Sequence, residues 1–176
     1  MTVGRAIARK TGFRLFHNHV SIEPALEFFD FGHPAFIRLV EGYRKAVFHE
    51  VANSDLPGLI FTFAWAFDLP SEQVTIDEYA APFVERGSRV VFAELRAPLD
   101  VRLERNEHPE RTTAKPSKRD VERSRRGLLE VEENHVFTSG DERTGRDDWI
   151  VIDNVDLAPA AVADLVIARF GLPLQG

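Results

Sequence analysis

Three short clusters, one bearing histidines and two bearing carboxylates, and one basic stretch carry the side chains that could do chemistry. His17, Asn18 and His19 follow the apolar residues Phe13, Leu15 and Phe16. An imidazole titrates near neutral pH, so His17 or His19 could orient or deprotonate an acceptor hydroxyl. The competing reading is a pair of hydrogen-bonded structural histidines. A metal site is the weaker reading, because no third ligand has convincing spacing. Trp65 and Asp68 follow a second apolar run. Asp68 could bind Mg²⁺ through water or serve as a base, and capping a loop is the plainer role. Asp153 and Asn154 close a third apolar run, where turn residues are also expected.

The basic stretch runs from Arg102 to Arg126. It holds nine Lys or Arg against five Asp or Glu, a local charge of +4 in a chain of net charge −6. A basic island in an acidic protein is a place for an anionic ligand. Its middle, 107–117, has no apolar stripe and reads as a mobile loop between two helices. Such a loop suits a lid that closes over phosphates. A solvated, salt-bridged helix competes with this. Arg123, Arg125 and Arg126 fit that alternative, since Glu122 and Glu130 stand at helical spacing from them.

Composition narrows the classes. The 176 residues favour one domain, and 44% hydrophobic with 28% charged residues is ordinary for a soluble protein. With no cysteine, disulfides and thiolate chemistry are excluded. No apolar run is long enough for a membrane span and the N-terminus does not read as a signal peptide, so the expected location is cytoplasmic. The acidic balance argues against a nucleic-acid binder.

The elements that must position these residues alternate. Residues 2–10 have helical spacing and Gly12 behind them as a C-cap. Residues 13–17 read as a strand. Ser21 is placed to cap a short helix. A long amphipathic helix runs from Pro34 to about Asn53, with Phe36, Leu39, Val40, Tyr43, Val47 and Val51 on one face. Residues 58–66, GLIFTFAWA, and 89–95, RVVFAEL, read as strands buried on both faces. Ser71 is expected to cap the helix between them. Helices are expected from Pro98 into the basic stretch and from Ser117 to about Glu133. The last strand is 149–152, and a helix follows from Pro159 to Phe170. The implied fold is α/β, a parallel sheet with helices on both faces. It begins with a helix where a strand would be usual.

The segments Thr11–His19, Ser54–Phe63, Lys115–Asp120 and Ile152–Asn154 resemble the small P-loop kinases. That group includes adenylate, shikimate and gluconate kinases and chloramphenicol phosphotransferase, with a bacterial branch of AAA-family or P-loop ATPases. The resemblance covers nearly the whole chain. It implies a three-layer P-loop NTPase-like sheet with a helical lid at about 102–126, and ATP with Mg²⁺ as cofactors. It implies that Arg105 and Arg111 grip phosphates, as a guanidinium fork suits phosphate oxygens. Lys118 and Arg119 are secondary candidates. Asp153 and Asn154 would lie beside the adenine. His17, Asn18, His19, Trp65 and Asp68 would face the acceptor, with His17 in a catalytic role alongside the two arginines. Relatives also carry a central strand and the loop G-x-x-x-x-G-K-[ST] ahead of the first helix. No G-x-x-x-x-G-K occurs in this sequence, and residues 1–4, MTVG, resemble only the tail of that loop, with Thr2 as its cofactor-side residue. A start codon assigned too late and a true loss of the loop fit equally well.

The function this implies is an ATP-dependent phosphotransferase for a small molecule or nucleotide, inactive as it stands. The alternative is a non-catalytic anion- or nucleotide-binding protein on the same fold. A missing central strand would leave 58–65 and 89–95 facing a gap of about 9.6 Å, twice the usual strand spacing. Unpaired edges there would invite self-association.

Overall fold

The structure, a computed structural model, describes residues 1–108, 116–118, 120–143 and 145–175, and for Lys118 the backbone alone. In chain order the elements are α1 (Thr2–Thr11), β1 (Arg14–His17), α2 (His19–Leu26), α3 (Pro34–Ala52), β2 (Leu59–Thr62), α4 (Pro70–Glu85), β3 (Phe92–Arg96), α5 (Leu99–Asn106), α6 (Val121–Asn134), β4 (Trp149–Asp153) and α7 (Pro159–Phe170). Single 3₁₀ turns stand at Pro116–Lys118 and Asp141–Arg143. The fold is α/β.

The helix ends follow local rules in most places. Gly12 closes α1 in the left-handed region at φ 74°, and its N–H bonds the Ala8 carbonyl. Gly171 does the same for α7. The serine caps expected from sequence do not form. Asn18 precedes α2, Leu69 precedes α4, and α6 is capped by Asp120, whose carboxylate accepts from the Arg123 N–H. An ionised carboxylate is the stronger acceptor beside the positive end of a helix, and Ser117 lies in the 3₁₀ turn instead.

β1 and β2 are shorter than the apolar runs that contain them, β3 begins three residues later and ends one residue later than expected, and β4 runs one residue further. β1 pairs with β2 in parallel from Arg14–Leu59 to His17–Thr62, and β3 pairs with β4 from Phe92–Trp149 to Arg96–Asp153. Pleating sorts the side chains by face. Leu15, Ile60 and Thr62 turn toward α1, where a Cβ on Gly4 would meet the Leu15 side chain at 2.8 Å. Phe16 and Phe61 turn the other way, into Phe48 of α3 and Tyr79 of α4. Helices therefore cover both faces of this pair. Trimming Phe48, which is 2% exposed, to alanine would cost about 3–5 kcal/mol.

No ladder joins β2 to β3; the strands form two two-stranded sheets rather than one. The halves are joined by side chains. On one face Ala6 and Ile7 of α1 cluster with Val162, Val166 and Phe170 of α7 and with Ile152, and Ile60, Val91 and Ile150 pack against them. On the other, Trp65 lies 6.0 Å from Phe92 and 5.8 Å from Trp149 between ring centroids. Strand β2 is half-buried along its length rather than buried on both faces, in keeping with its open edge.

The open edges can be read residue by residue. Arg14 and Asn18 donate to the Gly58 and Thr62 carbonyls, so the N–H groups of Leu59 and Phe61 point away from β1. Phe92 donates to Asp148 and Asn154 donates to Arg96, so the N–H groups of Ala93 and Leu95 point away from β4. We expect the amides of Leu59, Phe61, Ala93 and Leu95 to exchange hydrogen markedly faster than those of Ile60 and Glu94. Equal protection of the two sets, measured by NMR, would show that β2 and β3 pair in solution.

Candidate functional site

Parallel strands offer ligands the edge beyond their carboxyl ends. Here that edge is formed by residues 17–21 after β1, 62–66 after β2, 96–98 after β3 and 153–155 after β4. The basic stretch is tied to it at two points.

The first tie is at β1. His19 opens α2 and is 7% exposed. Its Nδ1 lies 2.6 Å from Glu23 Oε1, one helical turn on. With a carboxylate as partner, Nδ1 donates and the ring's tautomer is set. Glu23 also accepts from the Ser117 hydroxyl at 2.6 Å and from the Ser117 N–H at 2.9 Å. Burial alone would raise the Glu23 pKa. The hydrogen bonds from Ser117 and His19 outweigh it and hold the carboxyl below its ordinary value.

The second tie is at β4. Arg105 of α5 donates to Asn154 Oδ1 at 2.9 Å, to the Asn154 carbonyl at 2.8 Å and to the Val155 carbonyl at 2.9 Å. Two residues expected on the cofactor side are thus brought together, with Arg105 engaged by neutral oxygens. Asp153 accepts from the Val155 N–H at 3.0 Å and shapes the same turn. Behind this contact α5 and α6 are clamped to each other. Arg102 pairs with Glu132, Arg125 with Glu107 at 2.7 Å, and Asn106 with Ser124 at 3.0 Å in a buried contact. The acidic partners of Arg102 and Arg125 come from the facing helix rather than from one turn away.

The remaining expected residues are dispersed. His17 ends β1 on the α1 side, and Asn18 bonds across to the Thr62 carbonyl. Trp65 stacks on Phe67 at 4.8 Å between ring centroids and carries Arg143 over its face at 4.7 Å, so it belongs to the aromatic core. Asp68 accepts from the Val136 N–H at 2.8 Å and lies 3.0 Å from His135 Nδ1, contacts that lower its pKa in that order. It holds the chain after α6. Thr2 is exposed at the first turn of α1. Arg111 and Arg119 and the side chain of Lys118 lie outside the described residues. Among the described residues no group of three His, Asp or Glu could hold a metal ion.

Sequence reasoning missed Glu23, Arg44 and Glu72. The His19-to-Glu23 spacing of four was a usable signal for the first. Arg44 is 7% exposed inside the face that α3 buries. That face is Phe36, Val40, Arg44 and Phe48, each four residues from the next, while Leu39 and Tyr43, expected to be buried, are about half exposed. Glu72 accepts from the Ala66 N–H at 2.7 Å, and burial raises its pKa.

The class these elements define is an α/β protein with short parallel strands and a candidate site at their carboxyl edge. No family model matches the chain, and no curated protein does. Among solved structures, the tunicamycin resistance protein of Deinococcus radiodurans is similar over 100% of this chain and 93% of its own, with a TM-score of 0.53 and 19% identity. At that identity the likeness is one of fold. No described helix is long and apolar enough to cross a membrane.

The Glu23 tie has a pH signature. Its folded-state pKa is depressed, so its stabilisation is complete above the ordinary carboxyl value of about 4.3 and is lost as pH falls through the depressed one. We expect Glu23→Gln to lose about 1–2 kcal/mol at pH 7 by urea denaturation. The difference from wild type should shrink toward zero at pH 3, and a difference unchanged between the two pH values would contradict the assignment.

Proposed function

We propose that this chain carries the acceptor side and lid of an ATP-dependent phosphotransferase of the small-molecule or nucleotide kinase type. The observation that carries the reading is the double tie of the basic stretch. Arg105 rests on the loop after β4, and Ser117 rests on α2 after β1. Both contacts lie at the edge where a ligand of a parallel sheet binds. The structural neighbour, a tunicamycin resistance protein, supports the fold alone. The three-layer P-loop arrangement is part of this proposal, with the interval between β2 and β3 as the place for a central strand.

The residues here divide the work unevenly. His17 and Asn18 stand where an acceptor hydroxyl would arrive, and His19 is ordered by Glu23 behind them. ATP, where bound, would supply the phosphoryl group that such a hydroxyl accepts. The ATP side does not fit the residues present. Thr2 opens α1, but no lysine of a G-x-x-x-x-G-K loop accompanies it, and Arg105 is engaged by Asn154 and Val155. No step through ATP is therefore assigned to these side chains. That same observation favours the second reading, a non-catalytic protein that binds an anion or nucleotide on this fold.

Both readings share one consequence. These 176 residues alone should hold ATP weakly or not at all, because the loop amides and lysine that grip its phosphates are missing from the sequence. Calorimetric titration with ATP and Mg²⁺ checks this. Binding in the low micromolar range would contradict it.

A further inference from the structure

A buried cation in this fold has no ion-pair partner among the described residues. Arg44 occupies the third place in the inward stripe of α3, between Val40 and Phe48, and is 7% exposed. A guanidinium stays charged at any pH a protein survives, so its burial calls for compensation. Two more exposed arginines have it. Arg102 is paired with Glu132, and Arg96 is bonded to Glu94 at 2.7 Å. Arg44 has no carboxylate within ion-pair distance among the described residues. Its Nε donates to Ser21 Oγ at 2.9 Å, and the guanidinium lies 5.6 Å from the ring centre of Phe61 and 5.8 Å from that of Phe63. Its two terminal nitrogens have no hydrogen-bond partner among the described residues. The nearby acid whose field it feels is Glu72, and that carboxylate accepts from the Ala66 N–H.

The surroundings fix the guanidinium and aim it. Ser21 Oγ donates to the Asn18 carbonyl at 2.8 Å and accepts from Arg44, so the Nε edge is pinned to the turn after β1. Phe61 and Phe63 hold the planar group from the end of β2. What remains is the terminal pair of nitrogens, the geometry that takes two oxygens of one oxyanion. Ser21, Phe63 and Glu72 all stand at the carboxyl edge of β1 and β2.

We propose that Arg44 is an anion-binding subsite, taking a carboxylate or phosphate oxyanion of the ligand that occupies this edge. The inference rests on the proposed function for the ligand's position and adds its chemistry: the acceptor is an anion, not a neutral alcohol. The bound oxyanion supplies the ion-pair partner that Arg44 lacks among the described residues, which a neutral ligand could not.

The experiment uses no ATP, so its result stands apart from whether the chain transfers phosphoryl groups. The protein is titrated in a zwitterionic buffer with sodium phosphate or sodium succinate, with sodium chloride at matched ionic strength as control. The Arg44 Nε–H resonance is followed by NMR and the melting temperature is recorded in parallel. Phosphate, succinate or both should shift that resonance saturably and raise the melting temperature beyond the chloride control. The more effective anion names the ligand class. Arg44→Met should remain folded and lose the anion-dependent rise, and Arg44→Lys should retain a weaker one, because a point charge lacks the fork. A wild-type Arg44 resonance that moves no more with phosphate or succinate than with chloride overturns the proposal, as does an undiminished rise in Arg44→Met. Should Arg44→Met fail to fold, the wild-type resonance decides alone.

Discussion

Backbone N–H and C=O groups in a folded chain need partners, and the interval between β2 and β3 is where no strand pairing among the described residues supplies them. Each strand is paired on one side only. The two halves therefore depend on side chains to stay in register. The α1–α7 contact does this on one face, and the ring cluster of Trp65, Phe92 and Trp149 does it on the other. Arg143 fills the space among Trp65, Phe67 and Trp149, with its guanidinium 4.6 Å from the Trp149 ring centre. Dispersion and burial are less directional than a ladder, so the packing must be dense to fix the halves.

Holding the halves fixed is what gives the carboxyl edge its shape. The helix that follows β1 and the turn that follows β4 each take a side chain from the basic stretch. Glu23 and Asn154 are the receiving groups, one a carboxylate and one an amide with its neighbouring carbonyls. The clamp between α5 and α6, built on Arg102–Glu132 and the buried Asn106–Ser124 pair, ties the two helices together behind those contacts. Beneath the edge, α3 delivers one charged group into an otherwise apolar stripe.

Much of the fold was legible because caps and breaks are local. Gly12, Pro34, Pro159 and Gly171 mark helix ends that the structure reproduces. β1, β2 and β3 were read too long because an apolar run reports burial, whereas a strand ends where its partner does. Residues 63–66 are apolar and lie beyond β1's reach. The face of α3 was misassigned because Arg44 does not look like a core residue, so the stripe was drawn through Leu39 and Tyr43. The site was legible as a place, through histidines and turn residues at strand ends. Its contacts were not: Glu23–Ser117 and Arg105–Asn154 join residues 94 and 49 positions apart. Nothing in local spacing reports such pairs.

Ligands of this protein are expected to meet the carboxyl edge of the strands. A backbone amide shift map recorded while sodium pyrophosphate is added tests it most directly. Perturbations should gather at 17–21, 62–66, 96–98, 116–118 and 153–155. Perturbations gathered instead at the opposite edge, at 12–14, 58, 88–91 and 148–149, would contradict it.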